Sequence, residues 1–262
     1  MRMHYSVFRA VAALTGGDDA ERHFDLAADR IQRALLDVAV PAIEGLEIGV
    51  HAEPARLVGG DYIDLLVASH RSLVFGLGDA SGKSLAAALN AIMLRYLVRG
   101  LVRALGTAEM AALVGHTNTV VTEDLSHDEF ITFILGEIDV TRGTLRIVNA
   151  GHEPPLVLRA AAPAAEILHR HGMVLGVQQN TRFDEQVTPL GTGDIVLLYT
   201  DGLTEATNNR GELFTLDRLS ATLVEFRELP APQLAEAIFD RIKRYSEGEL
   251  RDDATVLAIK ML

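Results

Sequence analysis

The chain has 262 residues, of which 48% are apolar, a formal net charge of −12 at pH 7 and no cysteine. The acidity argues against a nucleic-acid-binding protein and, less strongly, against docking on anionic lipid, because both usually need a basic face. The absence of cysteine excludes disulfides, thiol catalysis and cysteine-ligated zinc, and together with the lack of a recognisable secretory signal it predicts a cytoplasmic protein.

The N-terminal forty residues predict a short extension followed by an amphipathic helix. Residues 1–19 end in a Gly-Gly-Asp-Asp loop. Residues 20–39 carry apolar side chains on one helical stripe, with charged side chains opposite, and Pro41 ends the pattern. What this stripe packs against is left open by the pattern itself.

Apolar runs and turn residues predict the remaining elements. The predicted strands are residues 46–51, 63–68, 72–78, 130–140, 144–148, 155–159, 165–169, 195–200 and 254–260, and the predicted helices are residues 84–105, 108–124, 217–228 and 232–246. The first of these helices is the most apolar, but its three arginines predict a buried or partner-facing helix rather than a membrane span. Because strands follow one another in hairpins instead of alternating with helices, the order favours an α+β fold with antiparallel sheets.

The stretch FGLGDASGKSLAAAL, residues 75–89, contains a Gly-Lys-Ser that is typical of a phosphate-binding P-loop. The P-loop pattern requires a glycine at position 77, where this chain has Leu77. Asp79 also lies inside the turn, and its carboxylate would repel a phosphate unless a cation lay between them. The turn therefore suits a metal better than a bare triphosphate, although the apolar run ending in Asp201 is compatible with the second motif of a nucleotide hydrolase.

Four aspartates share one context, a tight turn beside a predicted strand. They are Asp61 in GGDYID, Asp79 in GDASGKS, Asp201 in YTDGLTEA and Asp252 in RDDATV. Hard divalent cations prefer carboxylate, carbonyl and water oxygens, and acids at strand ends can converge on one edge of a sandwich. The alternative is ordinary turn chemistry, because aspartate and glycine are common turn residues. Spacing alone does not decide between the two.

Five motifs, in this order, resemble the metal-dependent protein phosphatase (PPM, type 2C) family, and most closely its bacterial stage II sporulation protein E-like branch. They are GGDYID, GDASGKSLAAAL, VNAGHEPPLVL, YTDGLTEATNNRGELF and RDDATV. The resemblance covers residues 20–262, as one domain. It implies an α-β-β-α sandwich, two antiparallel sheets flanked by helices, with two Mn²⁺ or Mg²⁺ ions at one edge. It also implies that metal-activated water hydrolyses a phosphoserine or phosphothreonine.

The resemblance assigns metal ligands residue by residue. Asp79 matches the aspartate that bridges both ions, and the backbone carbonyl of Ala80 matches the ligand beside it. Asp61 matches the acid of the second ion, and Asp201 and Asp252 match the acids of the first. These four aspartates are therefore also the expected catalytic residues, acting through metal-bound water.

Other residues are expected to lie behind these ligands. Asp253 aligns with a position that is often asparagine in relatives, so it is expected to support Asp252 rather than to bind an ion. Gly60 and Gly202 are expected in the same supporting role. The choice between Asp252 and Asp253 as the direct ligand stays open.

Two residues are candidate substrate contacts. Arg56 precedes Asp61 by five positions, and it either meets the substrate phosphate or is an ordinary surface arginine. His152 in NAGHEPP either donates a proton to the leaving alkoxide or holds the turn over residues 149–155.

The family branch also implies partners. The expected substrate is a bacterial regulatory phosphoprotein, such as a STAS-domain anti-anti-sigma factor, and no nucleic acid or membrane insertion is expected. The helix over residues 20–39 is either part of the core or, as in relatives with upstream sensor domains, a regulatory helix that could join a homodimer. Lys83-Ser84 replaces a glycine-containing pair common in relatives, and losing that glycine is expected to stiffen the loop beside the metals. Because relatives need a helix switch to recruit metal, an alternative function stays open: a phosphatase-like binding module with suppressed or lost catalysis.

Overall fold

A computed structural model of the protein describes residue 36 and residues 38–55, 59–82, 85–169 and 172–262. The predicted N-terminal extension and almost all of the predicted helix over residues 20–39 lie outside this part, as do Arg56 and Lys83-Ser84. Leu36 packs against the apolar cluster beneath the first described helices, and Val38 packs against the cluster between the sheets. The proposed regulatory and dimerising role of residues 20–39 stays a prediction.

Every strand and helix predicted within the described residues is present. The strands are β1 (Leu46–Glu53), β2 (Asp61–Ser69), β3 (Ser72–Ala80), β4 (Ile131–Asp139), β5 (Thr144–Ala150), β6 (Leu156–Leu158), β7 (Glu166–Ile167), β8 (Glu185–Pro189), β9 (Ile195–Tyr199) and β10 (Ala254–Met261). The helices are α1 (Leu85–Leu105), α2 (Met110–Asp124), α3 (Asp201–Thr204), α4 (Thr215–Glu225) and α5 (Ala231–Tyr245). The strand β8 and the single turn α3 were not predicted.

The strands form two five-stranded antiparallel sheets. The first sheet has the order β1-β10-β9-β6-β7, and the second sheet has the order β2-β3-β4-β5-β8. Residues of both sheets share one buried cluster, so the sheets pack face to face. Helices α1 and α2 cover the second sheet, and α4 and α5 cover the first. The predicted α+β sandwich of two antiparallel sheets flanked by helices is confirmed.

Alternation along the central strands explains why their sequences are apolar throughout. In β3, Leu73, Phe75 and Leu77 point between the sheets, whereas Val74 points toward α1 and α2. In β9, all five residues are buried, and successive side chains enter the cluster between the sheets and the cluster under α4 and α5 in turn. A strand covered on both faces needs apolar residues at every position, which is the pattern that the sequence shows.

Helix α1 is long and apolar enough, by length and composition, to cross a membrane. A core helix of a globular protein passes the same test, and here Ala87, Ala91 and Leu94 of α1 are buried in the cluster over the second sheet. The guanidinium of Arg99 also makes two hydrogen bonds, of 2.6 and 2.7 Å, to the buried carboxylate of Asp64 in β2. The helix is thus fastened to the strand that begins with Asp61.

The topology brings the predicted ligands to one end of the sandwich. Asp61 opens β2, and Asp79 and Ala80 close β3, which runs antiparallel to it. Asp201 directly follows β9, and Asp252 lies two residues before β10, the antiparallel neighbour of β9. Each sheet therefore presents one pair of aspartates where two adjacent strands begin and end.

Candidate metal centre

The first carboxylate pair belongs to the second sheet. Asp61 and Asp79 lie directly opposite each other in the β2–β3 ladder. Asp61 is 1% exposed, and burial, followed by the negative charge of Asp79, holds the pKa of its carboxyl well above the usual range. Two neighbouring acids, one of them buried, favour either a bound proton or a bound cation. The pair thus has the chemistry expected of a cation site.

The backbone around this pair forms a cradle that only glycine fits. The amide of Ala80 donates to the carbonyl of Gly60 at 3.1 Å, which draws the end of β3 against the residue before Asp61. A Cβ atom on Gly60 would lie 2.5 Å from the Ala80 carbonyl oxygen and 2.9 Å from Asp79 Oδ1. The two oxygens that the sequence predicts as ligands therefore converge on the space beside Gly60.

The second carboxylate pair belongs to the first sheet. Asp201 begins α3 and Asp252 lies in the turn before β10, and both are half-buried. Burial, and then the charges of Asp252, Glu205 and Glu153, raise the pKa of Asp201 to about 6. Glu153 was not predicted at this site. It follows His152 in the NAGHEPP motif, where the histidine drew attention instead.

Asp253 supports the loop that leads into Asp61. Its Oδ1 accepts the amide hydrogen of Ala55 at 2.9 Å, and its Oδ2 accepts that of Gly60 at 2.8 Å. A Cβ on Gly202 would lie 2.0 Å from the carbonyl oxygen of Asp253, so this backbone packs closely against the start of α3. Both carboxylate oxygens of Asp253 are engaged with backbone amides, which is the arrangement expected of a residue behind the ligands.

Two threonines connect the carboxylate pairs. The hydroxyls of Thr200 and Thr255 both donate to Asp61 Oδ2, at 2.9 and 2.5 Å. The sequence did not indicate this role, because threonine is common in and next to strands; the only signal is that Thr200 precedes Asp201 and Thr255 follows Asp252 by three residues.

The donor set consists of oxygens in pairs. Among the described residues, no group of three or more acidic or histidine side chains is arranged to hold a metal ion by itself. Instead the site offers the pairs Asp61/Asp79 and Asp201/Asp252 and the carbonyl oxygen of Ala80. Mg²⁺ in proteins is usually bound by one or two carboxylates and keeps several waters. The residues present therefore fit hard divalent cations that retain water.

The surroundings of His152 do not favour contact with a substrate. It is 3% exposed, its Nδ1 lies 2.9 Å from the hydroxyl of Thr132, and burial lowers its pKa to about 3. Such a histidine is neutral near pH 7 and holds no acidic proton for a leaving group. The side chain of Asn149 bonds both the amide and the carbonyl of His152, so its surroundings fit the alternative role of holding the turn.

The P-loop hypothesis is wrong on backbone grounds. Gly76 and Gly78 lie inside β3, paired with β2 on one side and β4 on the other, so they form no phosphate-binding loop. The sheets are antiparallel, whereas a P-loop joins a strand to a helix within parallel βα units. Asp79, the residue that the P-loop pattern does not accommodate, is the one that faces Asp61.

The family model for stage II sporulation protein E (SpoIIE) matches residues 69–262 of this chain. Among curated proteins, the phosphoserine phosphatase RsbU of Bacillus subtilis is 27% identical over 233 residues, which cover 89% of this chain and 68% of RsbU. The family model's match begins at the end of β2 and extends to residue 262, so it includes Asp79, Asp201 and Asp252 but not Asp61.

Solved structures share the fold. The RsbU and RsbW domains of Rv1364c from Mycobacterium tuberculosis superpose with a TM-score of 0.74 at 26% identity, over 86% of this chain and 61% of that one. The SiaA-PP2C domain of Pseudomonas aeruginosa gives a TM-score of 0.76 at 23% identity, over 96% of this chain and all of that domain. The chain thus spans only part of the Rv1364c chain, whereas it matches an isolated PP2C domain over its full length.

Proposed function

This chain belongs to the stage II sporulation protein E family, and we propose that it is a divalent-cation-dependent phosphatase that hydrolyses phosphoserine or phosphothreonine in a protein. The activity class, protein-serine/threonine phosphatase, is that of the family and of its relative RsbU. The finer proposals are the ligand set, the use of two cations and the substrate.

One observation carries the proposal: Asp61, whose cross-strand neighbour is another acid, is hydrogen-bonded to residues of the other sheet that lie close in sequence to Asp201 and Asp252. The cross-strand neighbour of Asp61 is Asp79. Oδ2 of Asp61 accepts hydrogen bonds from Thr200, directly before Asp201, and from Thr255, three residues after Asp252. Such concentrated negative charge around a buried Asp61 and half-buried Asp79, Asp201 and Asp252 is costly unless cations compensate it. An acidic protein also needs local cations to bind a phosphorylated substrate.

Two Mn²⁺ or Mg²⁺ ions bound here would lower the pKa of a water and neutralise charge on the phosphoryl oxygens. Two solved structures of the same fold, RsbX with magnesium and PstP with two manganese ions, contain such ions. In this chain Asp79 would be shared by both ions. Asp61 and the Ala80 carbonyl would be further ligands of one ion, and Asp201 and Asp252 would be further ligands of the other.

The remaining residues of the site orient these ligands. Asp253 fixes the backbone amide of Gly60 and so the position of Asp61 at the start of β2. Gly60 keeps open the space between the Ala80 carbonyl and Asp79. Hydrolysis adds water across the phosphorus–oxygen bond and releases inorganic phosphate and the free serine or threonine hydroxyl, so no residue of the chain needs to become phosphorylated.

The proposed substrate is a bacterial regulatory phosphoprotein of the STAS type. RsbU is named a phosphoserine phosphatase, and the Rv1364c structure contains RsbU and RsbW domains in one molecule. These relatives support a role in a signalling pathway built on protein phosphorylation. The site itself selects a phosphate ester and not a particular protein.

The test is turnover of p-nitrophenyl phosphate and of a phosphoserine peptide by the purified chain, with Mn²⁺ titrated from zero. We expect activity that requires the cation and that falls by about 10³-fold in Asp79→Asn, a loss on the scale of removing a central electrostatic stabiliser. Mn²⁺ binding without turnover would favour the alternative, a phosphatase-like binding module. Absence of both Mn²⁺ binding and turnover would refute the proposal.

A further inference from the structure

Two buried hydroxyls tie the sheets together at the candidate metal centre. Thr200, directly after β9, and Thr255, in β10, are 0% exposed, and both donate to Oδ2 of Asp61, at 2.9 and 2.5 Å. Asp61 belongs to the other sheet and is 139 and 194 residues away in sequence. Hydrogen bonds from a hydroxyl to a carboxylate are short and strong because the acceptor is charged. One oxygen of Asp61 is thus held from two neighbouring strands of the first sheet.

The two threonines also fix each other. The amide of Thr200 donates to the carbonyl of Thr255 at 3.0 Å, and the amide of Thr255 donates to the hydroxyl oxygen of Thr200 at 2.9 Å. Here the chain leaves β9 for α3, and the Thr200 hydroxyl takes the place of a backbone carbonyl as acceptor. The hydroxyl has a single hydrogen, and of its two acceptors the Asp61 carboxylate, at 2.9 Å, is closer than the Asp253 carbonyl, at 3.4 Å.

We infer that Thr200 and Thr255 are positioning residues that hold the Asp61 carboxylate in a fixed place relative to Asp201 and Asp252, so that both carboxylate pairs act as one site. The inference rests on the proposed function, since it assigns a role at the proposed metal centre. Thr200 immediately precedes Asp201, and Thr255 follows Asp252 by three residues. Any shift of Asp61 against the threonines is therefore a shift against those ligands.

The threonines act through Asp61 and not on a substrate, because both are fully buried. Partners of this kind orient a ligand and keep it available to the ion, and their removal typically weakens metal binding or activity by about 10- to 100-fold. Thr255 gives the cleaner test of the two, because its hydroxyl bonds Asp61, whereas that of Thr200 also accepts a backbone amide.

The experiment compares Thr255→Val, which keeps the branched shape and loses the hydroxyl, with Thr255→Ser, which keeps the hydroxyl. Thr117→Val is the matched control, since Thr117 is 1% exposed and donates its hydroxyl to the Leu113 carbonyl within α2 at 2.9 Å. Mn²⁺ affinity is measured by calorimetry, and kcat and KM are measured with a phosphoserine peptide as substrate. The stability of each variant is measured by urea unfolding. For Thr255→Val we expect the Mn²⁺ affinity and kcat to be about 10- to 100-fold lower, with KM little changed. We expect Thr255→Ser to recover both the affinity and kcat, and Thr117→Val to keep wild-type values.

Wild-type Mn²⁺ affinity and kcat in Thr255→Val would overturn the inference while leaving the proposed function standing. Equal losses in Thr255→Val and Thr117→Val would overturn it as well, because they would show a general effect of instability. If Thr255→Val does not fold, Thr255→Ala carries the same expectation, because the smaller side chain leaves room for a water. A wild-type protein that binds no Mn²⁺ would overturn both the inference and the proposed function.

Discussion

The carboxylates of the neighbouring residues Asp252 and Asp253 differ in their burial and in their contacts. Asp253 is 7% exposed and places both carboxylate oxygens on backbone amides of the loop that precedes β2. Asp252 is half-buried, its Oδ1 accepts the amide hydrogen of Asp253 at 3.1 Å, and its charge raises the pKa of the Asp201 carboxyl. The contacts therefore favour Asp252 as the ligand and Asp253 as its support, the choice that the sequence left open.

We expect Asp252→Asn to weaken Mn²⁺ binding more than Asp253→Asn. Removing the charge of a direct ligand costs both the coordinate bond and the electrostatic attraction to the ion. Asp253→Asn keeps one oxygen that can accept an amide hydrogen, so we expect a loss of no more than about 10-fold, at the lower end for a supporting residue. Calorimetric titration of the two variants decides the matter, and a larger loss in Asp253→Asn would reverse the assignment.

The burial of His152 predicts that the stability of the fold depends on pH. Burial lowers its pKa to about 3 from an ordinary value of 6.5, so between these pH values the unfolded chain binds more protons than the folded protein. The stability that depends on a neutral His152 is therefore complete above about pH 6.5 and is lost as the pH falls toward 3. In His152→Asn this pH-dependent part is absent.

Urea unfolding of wild type and His152→Asn at several pH values between 4 and 7 measures this effect. We expect the wild-type free energy of unfolding to fall relative to the variant by up to about 1.4 kcal/mol per pH unit below pH 6.5. A difference between the two proteins that stays constant with pH would show that His152 remains free to take up a proton in the folded state.

At the scale of elements, a bidentate ion pair joins α1 to β2 in addition to their apolar packing. Arg99 holds the Asp64 carboxylate through Nε and Nη2 at 2.6 and 2.7 Å, and Arg95 lies 3.7 Å from the same carboxylate. Asp64 is 1% exposed, so its charge depends on these partners. Because β2 also begins with Asp61, the ion pair helps fix the strand that carries a proposed ligand.

We expect Arg99→Met to destabilise the protein by about 3 kcal/mol, because it leaves a buried carboxylate with one of its two cations. Arg103→Met is the matched control, on the same helix one turn later, where the side chain is exposed and a change within about 0.5 kcal/mol is expected. Both are measured by urea unfolding. Equal stability of the two variants would contradict a structural role for the Arg99–Asp64 pair.

The elements also show what the sequence can reveal and what it cannot. Strands β3 and β9 were predictable because a strand covered on both faces is apolar throughout. Strand β8, EQVTP, was not predicted because it lies at the edge of the second sheet, pairs with β5 alone, and has a single buried residue. A short edge strand carries neither a continuous apolar run nor a clear alternation.

The candidate site also has residues that could be predicted from the sequence and residues that could not. The four aspartates were visible as acids in strand-end turns, and the family resemblance supplied their roles. The bonds from Thr200 and Thr255 to Asp61 were not predictable, because they join two sheets across 139 and 194 residues and no local pattern encodes that register. His152 shows the opposite case, a residue type that suggests chemistry but is buried by the fold.

At the scale of the whole molecule, the candidate site depends on the position in which the two sheets pack against each other. Each sheet contributes one carboxylate pair, and the cluster of apolar residues between the sheets sets their separation. Hydrogen bonds then connect the two sheets at this point: Thr200 and Thr255 donate to Asp61, and the amide of Gly60 donates to Asp253. In a chain with a net charge of −12, cations at this junction would relieve repulsion as well as serve catalysis.

Anomalous X-ray diffraction from crystals grown with Mn²⁺ tests the central claim most directly, because it locates the ions without assuming their ligands. We expect two manganese peaks at the end of the sandwich, both contacting Asp79. One should also lie against Asp61 and the carbonyl of Ala80, and the other against Asp201 and Asp252. Manganese peaks elsewhere, or no peak between these four aspartates at saturating Mn²⁺, would contradict the account.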